Sequence, residues 1–201
     1  TNTLMGRLAQ VIDDTDELAA AARVEALRRQ RPLSSNSQLA DKLIYDKCMQ
    51  TAVIGAVSSG ASVVPGLGSF ASLTVGVAAD ISLTFKAQAE LVIEIASLYA
   101  HPLPADEKRR IVLLVTGTSA GANAIARRTG RRIAAKTGEK FAKKGILKAI
   151  PFVGIGASAA TNVAMTYAIG VRAKAYFSLG PDEMLDTATS LRAITGLDGR
   201  K

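Results

Sequence analysis

Apolar residues recur at helical spacing from the first turn of the chain. Leu4, Leu8, Val11 and Ile12 are followed by Leu18, Ala21 and Ala22, then by Val24 and Leu27, which predicts one helix over 3–30. Arg28, Arg29 and Arg31 close it, where cations suit the negative end of the helix dipole. Pro32 and the polar run at 34–38 stop it. A second helix is expected from Asn36 or Ser37 to the break at Pro65-Gly66, and a third, long one from about Gly68 to Tyr99. His101-Pro102 and Pro104 end that helix, and Pro104 with Asp106 and Glu107 starts the next. Helical composition continues through a region punctuated by Gly130, Gly138 and Gly145, and then past Pro151. A short amphipathic helix with Met184, Leu185 and Leu191 follows Pro181, and residues 196–201 are expected to fray. No segment alternates convincingly with a period of two. The pattern therefore predicts a single all-α domain over 1–201, a compact bundle with two Gly/Ala-rich, nearly uncharged central segments.

Those two segments, 48–79 and 149–171, contain no charged residue. A membrane span needs about 20 mostly apolar residues, so both are long enough. Their composition points the other way. The first has Pro65 and Gly66 at its centre and serines at 58, 59, 62 and 69; the second carries Asn162. Aromatic residues are 4% of the chain and there is no Trp, so neither segment has an interfacial aromatic belt at both ends. Core helices of a soluble or peripheral bundle are the expectation, with small residues allowing close crossing. Nothing in 1–21 reads as a signal peptide, and the single cysteine, Cys48, reads as an inert core thiol in a reducing compartment.

Charge changes the picture. The chain carries 25 Lys and Arg against 17 Asp and Glu, a net of +8. Residues 127–148 hold nine bases (Arg127, Arg128, Arg131, Arg132, Lys136, Lys140, Lys143, Lys144 and Lys148) and one acid, Glu139, so this stretch equals the whole surplus. Arg128, Arg132, Lys136 and Lys140 recur every four residues and form one stripe if helical, with Ile133, Phe141, Ile146 and Leu147 available as an apolar side.

A second polar set lies on the third expected helix. Asp80, Glu90 and Glu94 share a face, whereas Lys86 is turned about 240° from Asp80 and needs a partner on another helix. In the second uncharged block, Asn162 and Arg172 are the polar core candidates. Asp80 or Glu94 is expected to meet Arg172 across the bundle with Asn162 bridging, and Lys86 and Glu90 to lie on a solvated face.

Gly55, Gly60, Pro65-Gly66, Gly68, Asp80, Gln88 and the run IEIASLY at 93–99 resemble the core motif of the EcsC family. Residues 148–177, with Pro151, Gly154, Asn162 and terminal aromatics, resemble its second block, so the likeness covers about 40–180. The family commonly continues the Tyr with Gly; here Tyr99 is followed by Ala100-His101-Pro102, and the turn is expected to differ. The resemblance implies a bacterial helical protein, associated with a membrane and encoded beside an ABC transporter, with no agreed activity.

Four functions follow from these features. The first is non-enzymatic binding of an anionic membrane surface, or of a transporter or other membrane protein, through the basic stripe, at the inner face of the membrane from the cytoplasm. The second is an enzyme or metal-binding bundle using Asp80, Glu90 and Glu94. Its companions are poor, because His101 is the only histidine and no nucleophile, zinc or phosphate-loop motif is present. The third is a lipid-binding bundle whose Gly-rich helices leave an apolar cavity. The fourth is nucleic-acid binding, which lacks both a motif and stacking aromatics. No cofactor is expected, and the oligomeric state is left open.

Overall fold

A computed structural model describes residues 4–58, 77–101, 103–117 and 157–179, with Glu183, Asp186, Thr189 and Arg192. Among the described residues the protein is all-α. Its helices are α1 (Leu4–Asp13), α2 (Glu17–Gln30), α3 (Asn36–Ser58), α4 (Val77–Leu98), α5 (Ala105–Thr116) and α6 (Ala157–Phe177).

The expected single helix over 3–30 is two. The carboxylate of Asp16, in an extended backbone conformation, accepts the amides of Leu18 and Ala19 at 2.9 and 3.0 Å, and so caps α2. The Thr15 hydroxyl donates to the Val11 carbonyl at 2.8 Å. Short polar side chains at 13–16 offer the backbone local alternatives to the helical ladder. Periodicity misses the break because Ile12, Ala20, Val24 and Leu27, on both sides of it, enter the same core.

The start of α3 is where the sequence puts it. Gln38 N–H donates to Ser35 Oγ at 3.3 Å and Ser35 N–H to Gln38 Oε1 at 2.9 Å, a reciprocal capping box. At the other end of the long central helix, His101 N–H donates to the Ala96 carbonyl and Ala100 N–H to that of Ser97. This is a Schellman turn with Ala100 at φ 55°. The turn takes the left-handed shape that Gly adopts freely, and an alanine is held in it. Helix α5 begins after Pro104 and ends at Gly117, which adopts φ 76°.

Side-chain pairings give the directions of the helices. Lys174 meets Asp41, Gly170 lies on Ile44, and Cys48 faces Val163, so α3 and α6 are antiparallel. Thr84 pairs with Asn162 and Gln88 with Thr166 at a constant offset, so α4 and α6 are parallel. By the same reasoning α2 runs parallel to α4. The turn between α2 and α3 and the ends of α4 and α6 thus gather at one pole.

Helix α4 is the centre of the bundle and packs on all five others. From Thr84 to Leu98 only Lys86 is exposed, as a helix apolar nearly all round requires. Leu91, Val92, Ile95 and Leu98 form the core with Ile12, Val24, Leu39, Val112 and Val115. The α3–α6 crossing is close. A Cβ built at Gly170 would lie 2.5 Å from Ile44 Cγ1.

Candidate functional site

Helix α4 carries two carboxylates into this core, and other helices bring cations to them. Glu94 is 1% exposed. Its Oε1 accepts from Arg23 Nε of α2 at 2.6 Å and lies 3.3 Å from Lys47 Nζ of α3. The same Nζ donates to Glu90 Oε2 at 2.6 Å. A chain of alternating charge, Arg23–Glu94–Lys47–Glu90, thus joins three helices. Arg23 is half-exposed and Glu90 partly exposed, so the chain is most deeply buried in its middle, at Glu94 and Lys47. Charges so placed need partners, because an unpaired buried ion is far more costly than a paired one.

Smaller polar links surround this chain. Buried Lys108 of α5 pairs with Glu17 of α2 at 3.0 Å and lies 3.4 Å from the Thr15 carbonyl. Arg28 donates to the Leu98 carbonyl at 2.6 Å, at the end of α4. Gln88 and Asn162 donate their amides to the hydroxyls of Thr166 and Thr84, both at 3.2 Å. Among the described residues no buried side-chain nitrogen or oxygen lacks a hydrogen-bond partner. The interior polar groups therefore satisfy one another, which suits rigid positioning of helices.

The expected contact of Glu94 with Arg172 through Asn162 is not made. The offset of the Thr84–Asn162 pair does bring Glu94 level with Arg172 along the bundle. Yet Glu94 is turned to α2 and α3, while Asn162 is held by Thr84. Arg172 is partly buried, which pushes its pKa down, and no described carboxylate pairs with it. Its Nη1 lies beside the end of α5, 3.5 Å from a Cβ built at Gly117. The side chain of Asp80 lies outside the described residues, so its proposed pairing stays an expectation.

Lys86 is exposed, as expected of a solvated face. Glu90 is not on that face; its side chain is 18% exposed and bound to Lys47. The sequence did carry a signal for Lys47. It falls in the four-residue series Leu39, Leu43, Lys47 and Thr51, all of them buried. Arg23 adjoins Val24 on the inward side of α2 and gave a weaker signal.

Glu90 and Glu94 are held by bases, and no group of three His, Cys, Asp or Glu able to hold a metal occurs among the described residues. Burial pushes the Cys48 thiol up to about 12, so it is protonated at neutral pH and donates to the Val163 carbonyl at 3.7 Å. Arg127, Arg128, Arg131, Arg132, Lys136, Lys140, Lys143 and Lys144 lie outside the described residues. Among the described residues no helix is long and apolar enough to cross a membrane. Comparison with protein-family models, curated proteins and solved structures finds no match to this chain.

Proposed function

We propose that this protein is a non-enzymatic, EcsC-like helical bundle that binds the anionic surface of a membrane through residues 127–148. The observation that carries the reading is how charge is distributed between the bundle and that stretch. Asp13, Glu17, Glu25, Asp41, Asp46, Glu90, Glu94 and Glu107 each lie within ion-pair distance of a base outside 127–148. These acids have their own counter-ions, and the surplus of nine bases over one acid stays concentrated in one stretch. Each Lys or Arg near an anionic leaflet contributes about 1 kcal/mol, and apolar residues such as Phe141 and Ile146 add to that on insertion. A membrane transporter or other membrane protein with an acidic face is the alternative partner of the same stretch. Metal-assisted catalysis by Glu90 and Glu94 is disfavoured by the bases that already occupy them.

Flotation with liposomes tests this. Binding that needs anionic lipid and is reversed by salt is the expected result, because screening weakens exposed charge interactions. Failure to float with anionic liposomes at low salt would remove the membrane reading. Binding that resists alkaline carbonate would replace peripheral association with insertion.

A further inference from the structure

The turn between α2 and α3 presents a combination found nowhere else on the described surface. Leu33 is 99% exposed, as open as a side chain in an unfolded peptide. Arg29 and Arg31 beside it are exposed and form no ion pair among the described residues. Residues 26–40 contain three arginines and no acid. Arg28 is committed elsewhere, to Glu25 and to the Leu98 carbonyl. Two cations that form no ion pair among the described residues thus lead into one exposed leucine, in a turn that begins with Pro32 and is held by the Ser35–Gln38 capping box.

An isolated exposed leucine on a soluble surface is ordinary. A fully exposed leucine that follows two exposed arginines, neither in an ion pair among the described residues, is matched to one environment in particular, an anionic lipid interface. There the guanidinium groups meet phosphates and the aliphatic side chain leaves water for the acyl boundary. We infer that the 29–33 segment is a second membrane contact, with Leu33 inserting into an anionic leaflet while Arg29 and Arg31, which precede it, meet the phosphates. This inference rests on the membrane reading above and specifies which pole of the bundle faces the lipid.

The test uses the full chain. Cys48 is buried and protonated, so Leu33→Cys provides one accessible thiol for an environment-sensitive dye. Leu18→Cys, 83% exposed at the opposite end of α2 and about 20 Å away, is the control. With vesicles of mixed phosphatidylcholine and phosphatidylserine, dye at position 33 should shift to the blue and be quenched by brominated acyl chains. Dye at position 18 should do neither. In unlabelled protein, Leu33→Ser should lower vesicle affinity about tenfold, as expected for loss of one inserted aliphatic side chain. If the protein floats but position 33 stays unshifted, the turn is not a contact and only this inference falls. If position 18 shifts instead, or position 33 shifts equally on neutral vesicles, it is likewise overturned. If the protein does not float at all, the membrane reading falls and this inference with it.

Discussion

Lys47→Met isolates the buried charge chain. Methionine keeps the length and apolar stem of the lysine and removes only the ammonium group. Lys47 Nζ lies 2.6 Å from Glu90 and 3.3 Å from Glu94, so the two carboxylate oxygens are within about 6 Å of each other. Without the ammonium they repel, by about 3 kcal/mol at an effective dielectric constant near 20. Arg23 remains on Glu94, but Glu90 loses the only base that pairs with it among the described residues. The expected loss is about 3–5 kcal/mol, the range found when one partner of a buried pair is removed. Because the chain has no Trp, unfolding in urea is best followed by far-UV circular dichroism. The midpoint should fall with the slope unchanged. A second variant, Lys47→Met with Glu90→Gln, removes the repulsion and should regain about 2 kcal/mol. A loss below about 1 kcal/mol for Lys47→Met, or no recovery in the double variant, would refute a coupled buried network.

Two backbone positions give further tests. Ala100→Gly should stabilise the protein by about 0.5–1 kcal/mol, since relief of the left-handed conformation outweighs the greater freedom of glycine in the unfolded chain. A rise in Tm of a few degrees is the readout, and a fall would mean that Ala100 is not strained. Gly170→Ala should cost about 1–2 kcal/mol despite alanine's better helix propensity, because the new methyl group would meet Ile44 Cγ1 at 2.5 Å. Urea titration of Gly170→Ala with and without Ile44→Ala should show the two changes coupled, and additive losses would contradict the close crossing.

Much of this protein is local, and most of what is local was legible in the residues themselves. The all-α class follows from the 3.6-residue period. The start of α3 follows from Ser35 and Gln38, which contact each other across a single turn. The end of α4 follows from Tyr99–Pro104, whereas the sequence pattern did not predict the end of α5 at Gly117. The concentration of base at 127–148 is a property of composition and needs no fold. The break at Asp13–Asp16 is also local, but both its flanks serve one core, so the apolar period runs through it unmarked.

The partners inside the bundle were decided only by tertiary structure. The expected contact of Glu94 with Arg172 fails although the two lie level along the bundle, because level gives a height and not the neighbour a side chain faces. That choice depends on which helix occupies each side of α4. There, α2 and α3 supply Arg23 and Lys47, from 71 and 47 residues away in sequence, and the buried carboxylate turns to them. The exposure of Leu33 is of the same kind, since an apolar residue becomes a surface feature only when the packed helices leave it uncovered.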